Sequence, residues 1–230
     1  IGGALLAWHD FLEKPRIPNP NDSMKGSYLG CNYSNNEIRN YLLSVNAVFE
    51  EYDDINLFEK VSKLLNEGKV IGWFNGPMEF GPRALGARSI IGDPRNEKMQ
   101  SVMNLKIKYR ESFRPFAPSV LEECYKLWFD TPEPSPYMSR IVKVKRPEEV
   151  PGITHVDGTA RIQTVNRKQN KKYYDLINEF YNITGVPMLL NTSFNCREPI
   201  VETPREAINT FKNTELDMVI INEYCVSKVG

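Results

Sequence analysis

The chain has 230 residues, of which 41% are hydrophobic and 25% charged, and its 29 basic and 29 acidic side chains leave no formal net charge. A neutral balance argues against a dedicated nucleic-acid binder, and no apolar run approaches the roughly 20 residues of a membrane span. The two histidines and four scattered cysteines form no CxxC pair, which argues against a metal site and indicates the reduced thiols of a cytoplasmic protein.

The first 30 residues are predicted to be a helix and a linker. Residues 1–8 have the apolar, small-residue pattern of a helix and do not begin with methionine. The stretch that follows is typical of a linker because it contains three prolines within six residues, Pro15, Pro18 and Pro20. We expect residues 1–30 to be the last helix and linker of a preceding domain, with an irregular N-terminal arm of a single domain as the alternative.

Helical and strand patterns alternate through the rest of the chain. Apolar spacing, capping residues and glycine stops predict helices over residues 36–45, 57–68, 99–106, 173–185 and from 203 onward. Short apolar or alternating runs predict strands over residues 70–74, 116–121, 140–144, 161–165, 188–190, 217–221 and 224–229. Together they predict a mixed α/β domain over residues 31–230.

Basic residues are concentrated in one part of this neutral chain. Residues 83–114 carry eight basic and three acidic side chains, a local net charge of +5 that favours a site for a small anion over a long polyanion. At its start, the glycines and proline of GPRALGARS, residues 81–89, hold Arg83 and Arg88 at a fixed separation. Guanidinium groups bind phosphate oxygens through paired hydrogen bonds. The alternative is a turn followed by a solvated basic surface.

The segment KIKYRESFRPFAPS, residues 106–119, continues the basic stretch. If its start is extended, Lys106, Lys108 and Arg110 share one face and line up three cations. The stiff, apolar continuation from Arg114 to Pro118 is unusual for a solvated strand and indicates the wall of a site. An edge strand that lysines protect from pairing is the alternative.

A third segment, THVDGTARIQ at residues 154–163, combines a histidine, an aspartate and an arginine on a turn that enters a predicted strand. His155, Asp157 and Arg161 are therefore candidates for orienting a ligand, and a buried histidine with only a structural role is the alternative. A hydrolytic triad of His155, Asp157 and Ser193 is not supported, because no GxSxG elbow accompanies it.

A fourth segment places polar side chains directly after an apolar strand. The four residues are Asn191, Thr192, Ser193 and Asn195. In α/β proteins ligands bind at the carboxyl ends of strands, and small amide and hydroxyl groups suit phosphate, ribose or base edges. The alternative is an ordinary asparagine or serine turn.

Together these four segments resemble the C-terminal region of the O-carbamoyltransferase family, which includes nodulation-factor and antibiotic-tailoring carbamoyltransferases. The family motifs MEFGPRALGxRS, KxRExFRPFAP, HVDGTARxQ and NTSFN…EPI occur here in the expected order, at residues 78–89, 108–118, 155–163 and 191–200. The resemblance covers roughly residues 30–228, and the opening helix and linker resemble the end of the family's first domain.

The resemblance implies a YrdC-like fold for residues 31–230, a twisted mixed sheet flanked by helices. It also implies that this domain uses ATP, accompanied by Mg²⁺, and carbamoyl phosphate to make carbamoyl adenylate. An N-terminal domain of the actin/Hsp70-like class, carrying the metal of the transfer site, would then pass the carbamoyl group to a hydroxyl acceptor. No metal ligands are expected in this chain itself.

The resemblance also implies roles for the candidate residues. The group expected to hold the carbamoyl end and act in catalysis is Lys108, Arg110, Arg114 and His155. The group expected to bind substrate or nucleotide is Arg83, Arg88, Ser89, Lys106, Asp157, Arg161, Asn191, Thr192, Ser193 and Asn195. Two positions depart from the family pattern: Pro77 replaces an expected arginine, and Arg197 directly precedes Glu198 where many members insert a glycine. The alternatives to an enzyme are a nucleotide- or RNA-binding module and a regulator that has lost the chemistry.

Overall fold

The structure, a computed structural model, describes residues 2–17 and 22–228. The predicted N-terminal helix is present as α1 (Gly2–Leu6), which continues into a π-helical turn at Ala7–Phe11. The central part of the predicted linker, Pro18 to Asn21, lies outside the described residues. No described helix is long and apolar enough to cross a membrane.

Within the described residues, six further α-helices follow in chain order. They are α2 (Asn35–Ser44), α3 (Asp54–Asn66), α4 (Met99–Val102), α5 (Tyr125–Trp128), α6 (Lys171–Thr184) and α7 (Pro204–Lys212). The predicted capping box of Thr203 and Glu206 is confirmed at the start of α7, where such a cap contributes about 1 kcal/mol. The predicted glycine stop of α6 is also confirmed, because Gly185 adopts a left-handed conformation with φ of 74°.

Ten strands in the described part of the chain form one mixed sheet. They are β1 (Val48–Glu51), β2 (Ile71–Phe74), β3 (Arg88–Gly92), β4 (Ala117–Leu121), β5 (Phe129–Asp130), β6 (Arg140–Val144), β7 (Thr159–Val165), β8 (Met188–Ser193), β9 (Met218–Ile221) and β10 (Tyr224–Ser227). The order across the sheet is β1-β10-β9-β2-β3-β8-β4-β7-β6-β5. The pairs β2/β9 and β4/β7 are parallel and the others antiparallel. The predicted mixed α/β class is confirmed.

In the core, helix α3 packs against α6, and α6 packs against strands β4 and β8 in the middle of the sheet. Its largest fully buried apolar side chains include Trp73, Tyr173, Phe180 and Phe194. Burying each such side chain contributes about 1.5 to 3 kcal/mol relative to exposure. The centre of the sheet, where β3, β8, β4 and β7 lie side by side, is therefore a rigid platform for the polar residues that these strands carry.

Two features of the fold differ from the sequence-based expectation. Strands β1, β3 and β5 are not predicted, and β3 is hidden because its first residues, Arg88 and Ser89, are polar although both are fully buried. The prediction that Lys106, Lys108 and Arg110 line one face of an extended segment is wrong. The chain instead forms a π-helical turn at Met103–Ile107 and then a left-handed residue, Tyr109, with φ of 45°. The three cations consequently point in different directions.

Candidate functional site

The loop between β2 and β3 is fixed by a buried carboxylate. Glu79 Oε1 accepts hydrogen bonds from the backbone N–H groups of Leu85 at 2.7 Å, Ala87 at 2.6 Å and Arg88 at 3.3 Å. Burial raises the pKa of Glu79, and these backbone donors oppose that shift. The Trp73 indole N–H also donates to Gly86 O at 3.0 Å. The loop that carries Arg83 is thus held on both sides by buried groups.

Each of the four candidate segments contributes side chains to one small pocket of about 120 Å³. The cations on its wall are Arg83 from the loop, Arg110 from the second segment and Arg161 from β7. The fourth segment contributes Asn191, Thr192 and Ser193, and the remaining wall is Pro82, Ala84, Pro115, Phe116, Ala117 and Met138. None of the described residues lining this arginine pocket is acidic.

Two of the three arginines, Arg110 and Arg161, are partly desolvated, and Arg110 is also held in place. Arg110 Nε donates to Asn104 Oδ1 at 2.6 Å, and its guanidinium carbon lies 5.0 Å from the centre of the Phe116 ring. Burial lowers the pKa of Arg110, and that of Arg161 falls for the same reason, with Arg83 adding a repulsive charge. An anion in the pocket would relieve both effects, because desolvated like charges gain most from a counter-charge.

Lys108 lies beneath the pocket rim and does not line it. Its side chain is 5% exposed, and its ammonium donates to Asn195 Oδ1 at 2.7 Å, Asn195 O at 2.8 Å and Ser193 O at 2.5 Å. Burial lowers the pKa of Lys108 to about 7, and the Arg110 cation adds to the shift. Lys108 therefore fixes the end of β8, where Ser193 lines the pocket, and the turn at Asn195 that follows it.

A polar network lies under the pocket, at the centre of the sheet. Ser119 Oγ donates to Gln163 Oε1 at 2.6 Å, and Asn191 Nδ2 donates to Ser119 Oγ at 2.9 Å. Gln163 Nε2 donates to Leu85 O at 2.7 Å, which ties the network to the loop that carries Arg83. The β4/β8 and β4/β7 registers bring these side chains to the same face of the sheet.

Two predicted ligands of the phosphate groups are buried elsewhere. Arg88 is fully buried against Phe74, with its guanidinium carbon 3.5 Å from the ring centre, and it donates to Gly76 O at 2.9 Å and Cys31 O at 3.2 Å. Burial lowers its pKa to about 10. Ser89 is also fully buried, and its hydroxyl accepts the Gly86 N–H at 3.1 Å. Neither residue lines the arginine pocket. The prediction that Arg83 and Arg88 act together at one anion site is therefore wrong.

Five other candidates also lie outside the pocket lining. Lys106 is exposed and pairs with Glu215 at 3.0 Å, and Arg114 is exposed and pairs with Glu111 at 2.8 Å. Asn195 turns toward the next loop, where its Nδ2 donates to Glu198 O at 2.7 Å.

The remaining two, His155 and Asp157, form the turn before β7. Asp157 accepts from the Thr159 hydroxyl at 2.6 Å, and His155 Nδ1 lies 3.3 Å from the same hydroxyl. Burial lowers the pKa of His155, which favours the neutral imidazole. Their contacts brace the start of the strand that carries Arg161.

Three residues that position the site were not among the sequence candidates. Glu79 orders the arginine loop, Asn104 holds Arg110, and Gln163 supports Asn191. The period-two alternation of β7 could have identified Gln163, because it places that residue on the same face as Arg161. Glu79 lies within the motif at residues 78–89, but that motif gives no sign of its buried role, and no sequence pattern marked Asn104.

The sequence of this chain matches a known protein family. The family described as "Carbamoyltransferase C-terminus" matches residues 62–228. The chain belongs to this family. The predicted resemblance to O-carbamoyltransferases is thereby confirmed, and the pocket is part of a carbamoyltransferase C-terminal domain.

Relatives of this carbamoyltransferase domain are longer proteins. "Uncharacterized protein sll1178" of Synechocystis sp. is 49% identical over the whole of this chain, which covers 42% of that protein. Nodulation protein NolO of Bradyrhizobium diazoefficiens is 41% identical over 92% of this chain, which covers 40% of that protein. The chain thus spans about two fifths of the length of these curated relatives.

A solved structure shows the same fold. Full-length HypF, in its phosphate- and nucleotide-bound form, matches 75% of this chain and 25% of its own chain, with a TM-score of 0.54 and 21% sequence identity. The likeness supports the fold of the carbamoyltransferase domain, and the predicted YrdC-like α/β architecture is confirmed.

The Lys108→Met variant of this carbamoyltransferase domain is expected to change the pH dependence of stability. Because the pKa of Lys108 is lowered to about 7 from the ordinary 10.5, the unfolded chain binds more protons than the folded chain between those pH values. Stability from this residue therefore rises as pH increases from 7 toward 10. The Lys108→Met substitution removes this pH-dependent gain and the hydrogen bonds to Ser193 and Asn195. We expect it to lower the free energy of unfolding by about 1 to 3 kcal/mol at pH 9.

Urea unfolding of both proteins at pH 7 and pH 9 measures this effect. The stability difference between wild type and Lys108→Met should be larger at pH 9. The exposed Lys98, changed to methionine, is the matched control and should follow the wild type at both pH values. Equal stability differences at the two pH values would contradict the lowered pKa of the buried Lys108 amine.

Proposed function

We propose that this chain, as the C-terminal part of a longer O-carbamoyltransferase, uses ATP to convert carbamoyl phosphate to carbamoyl adenylate. The observation that carries the proposal is the convergence of Arg83, Arg110 and Arg161 on one pocket. Two anionic substrates repel each other, and guanidinium groups that never titrate away offset that repulsion at every physiological pH.

The size of the arginine pocket supports a small anion as its direct occupant. A volume of about 120 Å³ is well below the roughly 300 to 1,000 Å³ of sites for drug-sized ligands. Carbamoyl phosphate or its carbamoyl end fits this scale, whereas the adenosine of ATP would lie outside. We assign contact with the α-phosphate of the nucleotide to Thr192 and Ser193, which lie on the pocket wall at the end of β8.

The proposed reaction balances with one water molecule. Water first hydrolyses carbamoyl phosphate. Inorganic phosphate is released, and carbamate stays in the pocket. A carbamate oxygen then attacks the α-phosphorus of ATP, the bond from that phosphorus to the bridging oxygen breaks, and pyrophosphate leaves. The arginines hold the reacting oxygens in line and stabilise the charge that moves onto the leaving group, so positioning and electrostatics supply most of the rate.

The metals of the proposed reaction would come with the nucleotide and with the N-terminal domain. Mg²⁺ would enter with the triphosphate, because this ion is usually held through substrate phosphates. No group of three or more His, Cys, Asp or Glu side chains that could hold a metal occurs among the described residues. The N-terminal domain of the longer protein, with its own metal, would move the carbamoyl group from the adenylate to a hydroxyl acceptor.

Isothermal titration calorimetry with this chain tests the proposal. We expect carbamoyl phosphate to bind, and ATP with Mg²⁺ to bind and give additional heat when carbamoyl phosphate is present. The Arg161→Ala variant should bind carbamoyl phosphate about ten-fold or more weakly, because it loses a charge-assisted hydrogen bond. Absence of heat with either ligand in the wild-type chain would contradict the proposed activity.

A further inference from the structure

One amide in the arginine pocket has a fixed orientation. Asn191 Nδ2 lies 3.1 Å from Ala84 O, 2.9 Å from Ser119 Oγ and 3.2 Å from Gln163 Oε1. A carbonyl oxygen can only accept a hydrogen bond, so two of these three neighbours require a donor at this place. Rotating the amide by half a turn would bring its oxygen against both carbonyl oxygens. The nitrogen therefore belongs to the network, and Oδ1 occupies the opposite side of the amide.

The oxygen of this amide has no partner. Asn191 Oδ1 is buried and accepts no hydrogen bond from any described residue, and the residue as a whole is only 1% exposed. Asn191 also lines the arginine pocket. Buried acceptors are almost always satisfied in native proteins, so an unmatched one on a pocket wall indicates a hydrogen-bond donor on the ligand.

The other walls of the pocket supply the opposite pattern. Arg83, Arg110 and Arg161 are donors only, and Arg161 Nε is itself buried without a partner among the described residues. The pocket thus offers several donors and, in Asn191 Oδ1, a buried acceptor that has no partner among the described residues. A carbamoyl group matches both, because its oxygens accept while its amino group donates from the same plane. Inorganic phosphate dianion lacks a comparable N–H, and an acetyl group has a methyl in that position.

We propose that Asn191 Oδ1 accepts a hydrogen bond from the amino group of the carbamoyl substrate and makes the site select carbamoyl over other acyl phosphates. This inference rests on the proposed function, because it assumes that the carbamoyl group enters the arginine pocket. Ser119 and Gln163 act as positioning residues, since they hold Nδ2 and so fix the orientation of Oδ1. A methyl in place of the amino group would leave Oδ1 unpaired, and sites built around a substrate N–H reject analogues that lack it.

A pair of stable analogues tests the inference on the wild-type chain. Phosphonoacetamide keeps the amino group of carbamoyl phosphate, and acetonylphosphonate replaces it with a methyl. We expect calorimetry to give about 10- to 100-fold tighter binding of phosphonoacetamide, the range expected from one unsatisfied buried acceptor. Equal affinities would overturn the role of Asn191 and leave the proposed function intact. Failure of both analogues to bind would overturn both.

Two variants separate the role of the amide from that of the charges. In Asn191→Ala the preference for phosphonoacetamide should fall to about three-fold or less, chiefly because this analogue binds more weakly. In Arg161→Lys both analogues should bind more weakly while their ratio stays near the wild-type value. An unchanged ratio in a folded Asn191→Ala protein would overturn the inference. Thermal unfolding checks the fold, and if the variant does not fold, the wild-type analogue pair alone decides the question.

Discussion

The Arg110→Ala variant is expected to slow carbamoyl-phosphate-dependent release of pyrophosphate from ATP by about 100- to 1,000-fold, the usual cost of removing one preorganised donor from developing charge. Arg110 lines the pocket and is held by Asn104 at 2.6 Å, so its guanidinium is positioned before the substrates arrive. The Arg110→Lys variant keeps the charge but not the paired donors, so its rate should lie between those of the wild type and Arg110→Ala.

The matched control for this prediction is Lys98→Ala. Lys98 is an exposed cation of the same basic segment and does not line the pocket, so its removal should leave the rate within about two-fold of the wild type while changing the net charge equally. Both rates are measured by following pyrophosphate at saturating ATP. A wild-type rate in Arg110→Ala would exclude this residue from the site.

The Gly86→Ala variant is expected to destabilise the fold by about 2 to 6 kcal/mol, through overpacking and an unfavourable backbone conformation together. Gly86 has φ of +104°, and an added Cβ would lie 2.1 Å from Cδ1 of Tyr173. The Tyr173 ring is fully buried in α6 and cannot move aside. Since Gly86 lies in the loop that carries Arg83, the substitution should also weaken binding of carbamoyl phosphate.

Gly158→Ala provides the matched control for the Gly86 prediction. Gly158 also has a positive φ of +74°, but a methyl group added there would meet no described atom within 4 Å. This variant should lose only the backbone contribution, about 1 kcal/mol. Urea unfolding of the three proteins measures the effect. Similar stabilities of the two variants would show that the loop can yield around Tyr173.

The fold was largely predictable because its signals are local. The capping box at Thr203 and the glycine stop at Gly185 depend only on neighbouring residues, and most strands show their apolar pattern directly. Strand β3 escaped because Arg88 and Ser89 are buried by loops distant in sequence. The neighbouring sequence does not show that such a polar residue will be buried.

The candidate site was predictable to the level of segments and not of side chains. All four segments meet at the pocket, but the neighbouring cations have different surroundings: Lys106 pairs with Glu215, whereas Lys108 is buried against Asn195. These outcomes depend on the left-handed residue Tyr109 and on partners about 90 to 110 positions away. The two departures from the family pattern lie outside the arginine pocket, with Pro77 in a separate pocket and Arg197 next to the ring of Tyr109.

Exchange of labelled pyrophosphate into ATP by this chain is the sharpest test of adenylate formation. Carbamoyl adenylate formation is reversible at the α-phosphate, so pyrophosphate should re-enter ATP when the adenylate is present. We expect exchange that requires carbamoyl phosphate, is not supported by acetyl phosphate, and is lost in Arg110→Ala. Absence of exchange with carbamoyl phosphate and ATP, or exchange that proceeds equally without carbamoyl phosphate, would contradict the proposed activity.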